Sequence, residues 1–382
     1  MSNTKSVVHL TTVHHPLDPR IYYKECKSLH KAGFKVSLIV PEDHDSKEIT
    51  DITVVPIKKR KGRLKRMVLS TIEAYRKARA LQADYYHIHD PELLPLAWLL
   101  KKKSNVVIYD IHEDYETSMQ QKEYIPKSIR KLMGKTYRLI ERFFSRKLAL
   151  CLAEKYYKEK YPSGTCILNY PVLNEQLIDH KIDSTMERED KLIYTGNMTE
   201  ERGAKIHARL PLIDEQINVS FYGRCPRALA EEMLHLAGEK KDQLHIEGID
   251  RYVPKSIIDQ SYVKHQWLAG IALFPPTDHY MKKELTKFFE YMSVGLPIIC
   301  SNFPMWKQFV EEYSCGIAVD PYNDDEIRSA IEFLRTNRNL ALEMGNNGKK
   351  AVMEKLNWHA EEKKLINWYK ELALTVNDGN IS

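Results

Sequence analysis

Short β-rich runs alternate with helix-patterned segments along the whole chain, and this alternation limits the fold more than any other feature. Runs rich in Val, Ile and Tyr lie near Val7–Thr12, Lys35–Pro41, Thr53–Ile57, Tyr85–His89, Val106–Ile111, Leu148–Ala153 and Thr165–Asn169. A second series lies near Leu192–Thr195, Val219–Tyr222, Leu244–Glu247, Gly270–Phe274, Pro297–Cys300 and Gly316–Val319. Strands separated by helices build parallel sheets, because a parallel connection needs a crossover. Between the two series, "YPVLNEQLIDHKIDSTMERED" loses apolar periodicity and reads as a linker. The expectation is an α/β protein with two doubly wound Rossmann-like domains facing each other across a cleft. Residues 1–172 form the first, 173–190 the linker and 191–357 the second. The stretch from Asp325 to Leu374 reads as three helices.

Such sheets bind ligands at the carboxyl ends of their strands, so function is sought in the residues that follow each run. The length of 382 residues and 43% hydrophobic content suffice for two cores. A net charge of +6 suits anionic ligands or an anionic surface and is too small to argue for nucleic acid. Six scattered cysteines with no CxxC pair read as reduced core thiols. "MSNTKSVVHLTTVHH" lacks the pattern of a signal peptide, and no apolar run is long enough for a membrane span, so a cytoplasmic protein is expected.

The first βα turn, "VVHLTTVHHPLDPR", has no glycine fingerprint for a dinucleotide. Asp43-His44-Asp45 reads as a solvated loop. His87 and His89 share a strand face, which raises zinc, but no third ligand stands at a suitable spacing, and no metal is assigned. His112 follows a strand and so sits where such a sheet exposes side chains; a structural role stays open for it and for His89.

In the second half, "KLIYTGNMTEERG" gives a strand, a turn at Gly196-Asn197 and a basic residue, Arg202. A glycine lets the backbone approach a ligand, and free amides with an arginine can hold phosphate oxygens. "VSFYGRCPRA" repeats the pattern with Gly223 and Arg224. In "KKELTKFFEYMSVGLPIIC", a helix over Lys283–Val294 aligns Leu285, Phe288, Phe289 and Met292 on one buried stripe, with Gly295 as its cap. Glu290 stands at the edge of that stripe, either paired with Lys287 or free to accept hydrogen bonds from sugar hydroxyls. The basic run Lys58–Arg66 and the helix Ile129–Lys147, which interleaves aromatics with Lys and Arg, read as solvated faces or as contacts to anionic lipid.

With these elements together the chain resembles the GT-B glycosyltransferases of the large bacterial family numbered four, which carry out retaining transfer from nucleotide sugars. The most specific segments are "LTKFFEYMSVGLPIICSNFPMWKQFV" and "CGIAVDPYNDDEI", supported by "HLTTVHHPLDPRIYYKECKSLHKAGFKVSLIV" and "YTGNMTEERG". By that resemblance Glu290 binds the donor ribose, Lys287 and Arg202 neutralise the diphosphate, and Gly196 lets the backbone come close to it. His112 stands beside the donor sugar, and a last helix, residues 358–382, crosses back to the first domain. Many relatives carry a Glu eight positions before the one at 290; here that residue is Lys282. Their Gly-Arg after the first strand is Gly196-Asn197 here, and their N-terminal glycine pair is replaced by a segment in which Asp18 and Arg20 either serve the acceptor or cap a helix.

The resemblance implies a glycosyltransferase that moves a sugar from a nucleotide sugar, with UDP favoured over GDP, to a glycan or lipid-linked precursor of a cell-surface polysaccharide. Transfer would proceed with retention, with no cofactor and no metal, and with peripheral contact to anionic membrane as a second expectation. A nucleotide-sugar epimerase on the same fold and a silent sugar-nucleotide-binding subunit are the alternatives.

Overall fold

The computed structural model describes residues 4–62, 65–112, 127–179 and 188–377. The chain divides into two compact units, one formed by Met1–Asn169 with Trp358–Ser382 and the other by Tyr170–Asn357. Residues 180–187 of the expected linker, and two residues of the basic run, fall outside the described ones. Of the remaining linker, Glu175–Ile178 is a helical turn capped by Asn174, and Glu189 already opens a strand.

The first unit holds a seven-stranded, all-parallel sheet. Its strands are β1 (Ser6–Leu10), β2 (Lys35–Pro41), β3 (Thr53–Ile57), β4 (Tyr85–Ile88), β5 (Val106–Ile111), β6 (Ala149–Leu152) and β7 (Thr165–Cys166). The spatial order is β3-β2-β1-β4-β5-β6-β7, so the order reverses between β1 and β4. That switch point opens a crevice at the strand ends, where Thr11–Asp18 and His89–Asp90 follow β1 and β4.

A parallel sheet buries both faces. Val8, Leu10, Tyr86, Ile88, Val107 and Tyr109 point to one core, while Val7, Tyr85, Val106 and Ile108 point to the other. Over the second face lie the helix Pro19–Cys26, continued by Lys27–Lys31, and the C-terminal helix Trp358–Asn377. Trp358 Nε1 donates to Ser28 Oγ at 2.9 Å and Tyr85 Oη donates to the Tyr369 carbonyl at 2.9 Å, which ties the last helix to the first unit.

The second unit holds six parallel strands, β8 (Glu189–Thr195), β9 (Asn218–Cys225), β10 (Leu244–Ile249), β11 (Trp267–Ala272), β12 (Ile298–Ser301) and β13 (Gly316–Val319). Their order, β10-β9-β8-β11-β12-β13, reverses between β8 and β11. The helix expected over Lys283–Val294 is shorter, Thr286–Ser293, with Leu285 as its N-cap residue. Lys283 is held outside it, its carbonyl accepting from Trp306 Nε1 at 2.8 Å. Gly295 ends the helix at φ 70°, and Leu296 N closes onto the Tyr291 carbonyl at 2.9 Å.

Candidate active site

At the switch point of the second unit, β8 ends in Thr195 and the chain turns at Gly196, whose φ is 101°. Thr199 caps the turn Glu200–Arg202 by accepting from Arg202 N at 3.3 Å. Gly203 follows at φ 74° because a Cβ there would sit 1.8 Å from the Leu273 carbonyl oxygen. This turn sets Arg202 against Tyr280, with Nε donating to the phenol oxygen at 2.9 Å. Thr195, Gly196, Arg202, Phe274, Tyr280, Glu284, Lys287 and Glu290 line a cavity of about 290 Å³.

Lys287 is buried, and its ammonium has no hydrogen-bond partner. Among the described residues the groups it packs against are ring faces, Tyr194 at 3.5 Å and Phe274 at 4.8 Å from the centroids. Burial, then the nearby Arg202 charge, hold its pKa well below the ordinary lysine value, with Glu290 acting weakly against them. An unpaired cation in such a place costs free energy that an anion in the cavity would recover.

The pairing of Glu290 with Lys287 does not form. Glu290 instead accepts from Tyr262 Oη at 2.8 Å and faces Lys255 Nζ at 3.3 Å, and Tyr262 Oη also meets Thr195 Oγ1 at 2.8 Å. The carboxylate is thus fixed at the cavity wall and keeps acceptor capacity for a ligand. Sequence reasoning missed Tyr262, Tyr280 and Glu284, of which the first two arrive from separate helices and have no local signal. Glu284 lines the cavity two residues beyond Lys282, which is exposed and does not.

Three residues expected at this site do not line the cavity. Asn197 is exposed and contributes its carbonyl, which accepts from Tyr194 Oη at 3.1 Å and from Arg202 Nη1 at 3.4 Å. Gly223 and Arg224 do not form a strand-end turn: both lie within β9, and Arg224 is exposed. Gly223 is required by packing, since a Cβ would come 2.1 Å from the Gly196 carbonyl oxygen.

In the first unit, the crevice after β1 and β4 gathers His14, Asp18, Asp90 and His112. His14 lies 3.4 Å from Asp18, 3.3 Å from Asp90 and 3.1 Å from His112 Nε2. Burial opposes its charge, but the bonds to Asp18 and Asp90 prevail and raise its pKa to about 10. Burial likewise opposes ionisation of Asp18, but His14 and the Ile21 and Arg20 amides lower its pKa to about 2. His112 also contacts Asp110 Oδ2 through Nδ1 at 3.0 Å.

Asp18 is a helix cap, accepting from Arg20 N and Ile21 N, both at 2.9 Å. The acceptor role expected for Arg20 is corrected, because the residue is buried and forks onto Asp110 with two bonds of 2.8 Å while Nη1 donates to the Ile167 carbonyl. His89 is buried too, held by Asp110 at 3.2 Å and His9 at 3.0 Å. Asp90 and His14 escaped the sequence reading although they lie two and four residues past the ends of β4 and β1, where such residues are sought.

Family comparison agrees with this geometry at both ends of the chain. Residues 7–154 match the family described as Glycosyltransferase Family 4, and residues 286–351 match Glycosyl transferases group 1. The chain is a GT-B glycosyltransferase. Among curated protein sequences none matches. Solved structures share the fold at low identity. Sucrose-phosphate synthase from Thermosynechococcus elongatus is 15% identical with a TM-score of 0.72, covering 97% of this chain and 99% of that one. A glycosyltransferase from Rickettsia africae is 13% identical with a TM-score of 0.73, covering 97% and 98%. Anabaena HepE, solved in complex with UDP, is 9% identical with a TM-score of 0.71, covering 97% and 100%.

Below its surface crevice, this GT-B glycosyltransferase buries a second polar cluster. The sequence reading found no third ligand beside His87 and His89. The fold supplies His9, the register partner of His87 on β1, and Glu25 from the helix above.

Proposed function

We propose that the protein transfers a sugar from a UDP-sugar to a glycan or lipid-linked acceptor, with retention and without a metal ion at the diphosphate. The observation that carries this reading is Lys287, a buried ammonium without a partner, facing the same cavity as Arg202. Two cations side by side on a cavity wall fit a diphosphate, and a carboxylate held at Glu290 fits the vicinal hydroxyls of a ribose. The uridine preference is supported by the relatives, since HepE structures contain UDP and UDP-glucose.

Bond breaking between the sugar C1 and the diphosphate oxygen leaves negative charge on the departing phosphate. Lys287 and Arg202 stand ready to stabilise it with little reorganisation. These fixed charges perform the neutralisation that a divalent ion would otherwise supply. The acceptor hydroxyl attacks the face that the diphosphate leaves, and its proton departs with the phosphate. His112, linked through His14 to Asp18 and Asp90, is the residue this reading places beside the donor sugar.

The acceptor side also carries an observation that favours a lipid-linked substrate. Helix Lys127–Ser145 exposes Leu132, Leu139, Ile140 and Phe143, spaced as one helical stripe, beside exposed Lys135, Arg142 and Arg146. An apolar stripe with a basic border lies on an anionic bilayer surface. No helix among the described residues is long and apolar enough to cross a membrane.

The test is a thermal-shift screen with UDP, GDP and their sugars, followed by transfer assays on glycan and lipid-phosphate acceptors. A UDP-selective shift with sugar transfer supports the reading. Epimerised product from donor alone, or binding with neither transfer nor hydrolysis, contradicts it.

A further inference from the structure

The buried cluster of the first unit is built like a metal site. β1 and β4 are adjacent, with His9 opposite His87, so His9, His87 and His89 project from one face of the sheet. Helix Pro19–Cys26 lowers Glu25 onto them from above. All four side chains are buried, and none is more than 1% exposed.

One ligand atom from each residue lies within 4.8 Å of those from the others. Glu25 Oε2 is 3.8 Å from a nitrogen of His9, of His87 and of His89, and His9 Nδ1 is 3.0 Å from His89 Nε2. Four donors about 2.0–2.2 Å from a tetrahedral ion stand about 3.3–3.6 Å apart, a separation that lies between the observed 3.0 and 3.8 Å. The surroundings also match. His89 turns its other nitrogen, Nδ1, to Asp110 at 3.2 Å, a partner of the type that orients a metal-bound imidazole.

The same side chains also carry buried atoms that nothing else explains. His9 Nε2, His87 Nε2 and both Glu25 oxygens have no hydrogen-bond partner despite their burial. Arg20 Nη2 comes within 3.2 Å of Glu25 Oε1 but spends its directed bonds on Asp110, leaving Oε2 turned toward the three rings. A fully buried carboxylate among three imidazoles without directed bonds is costly, and a cation would satisfy all four groups together.

We propose that His9, Glu25, His87 and His89 hold one divalent transition-metal ion, zinc by its preference for a closed shell of nitrogen and oxygen donors. The ion is structural: four protein ligands leave no position for substrate. It pins helix Pro19–Cys26 to β1 and β4, and so fixes the crevice residues that flank those elements, Asp18 and Asp90. Transfer chemistry at the diphosphate does not use it.

The test is metal analysis of the purified full-length chain, reconstituted with zinc and desalted. The expected content is about one ion per chain, with a lowered thermal midpoint on prolonged chelation. His87→Gln and Glu25→Gln should lose the ion, while Asp43→Asn with Asp45→Asn, two carboxylates 3.6 and 3.3 Å from the exposed His15, should keep it. X-ray absorption on the wild type should show nitrogen and oxygen scatterers with imidazole features, which decides the matter if the variants do not fold. A folded chain that holds less than about one-tenth of an equivalent overturns the proposal. Sulfur in the first shell, or loss of the ion only in the Asp43/Asp45 variant, overturns it equally.

Discussion

Lys287 Nζ lies 3.5 Å from the centre of the Tyr194 ring and donates no hydrogen bond. The helix Thr286–Ser293 thus directs a cation inward, where the folded chain gains nothing from it but aromatic faces. The cost of that placement marks the residue as functional, since proteins keep such strain chiefly where a ligand relieves it.

Lys287→Met is therefore expected to raise thermal stability by about 1–3 kcal/mol while lowering turnover by about 2–4 kcal/mol, roughly 30- to 1,000-fold. Denaturation curves and steady-state rates on the same preparation check both signs. A destabilised variant with normal turnover would show that the lysine serves the fold.

Lys287 also gives nucleotide binding a pH dependence. Its pKa in the free protein is lowered, first by burial and then by Arg202, so between that value and the unfolded one the unfolded chain binds more protons and this residue's contribution to stability rises with pH. A bound diphosphate favours the charged form, so binding takes up a proton. UDP affinity is expected to weaken as pH rises through the free-protein value, and to lose that trend in Lys287→Met; calorimetry in buffers of different ionisation enthalpy measures the proton.

Glu290→Gln keeps the shape but weakens acceptance from ribose hydroxyls and from Tyr262. A rise of about tenfold in donor KM with a smaller change in kcat is expected, as for one charged hydrogen bond. Equal kinetics for UDP-sugar and its 2′-deoxy analogue in the wild type would count against the contact.

His14 offers a stability test. Its pKa is raised to about 10, so its contribution is fully present below the unfolded value of about 6.5 and is lost as pH rises through about 10. The difference in thermal midpoint between wild type and His14→Asn should shrink steadily across that window. A difference that grows with pH would contradict the ion pairs to Asp18 and Asp90.

Gly203→Ala should cost more than about 3 kcal/mol, since its Cβ would meet the Leu273 carbonyl oxygen at 1.8 Å and φ is 74°. Soluble yield and denaturation midpoint report it.

Much of this architecture was legible in advance. Strands such as Val106–Ile111 and Ile298–Ser301 are buried throughout, so they read as near-continuous apolar runs, interrupted by Asp110 and ended by Ser301. Gly196 and Arg202 were also legible, because a strand, a glycine and a capped turn follow one another locally. The errors arose where partners come from afar. Nothing near Gly223 reveals the Gly196 carbonyl beside it, nor does anything near Lys283 reveal the indole of Trp306. Arg20 reads as an acceptor-side or capping residue until Asp110, on β5, is placed against it. The fourfold cluster was invisible for the same reason: His9, Glu25 and the His87/His89 pair come from three elements, and only the strand order unites them.

The central claim is that one cavity of the second unit holds a nucleoside diphosphate. Crystals soaked with UDP, and in parallel with GDP, test it directly. The predicted result is a diphosphate within hydrogen-bonding reach of Lys287 and Arg202, with ribose hydroxyls on Glu290. Nucleotide bound elsewhere, or this cavity vacant at saturating concentrations of both, would contradict the account.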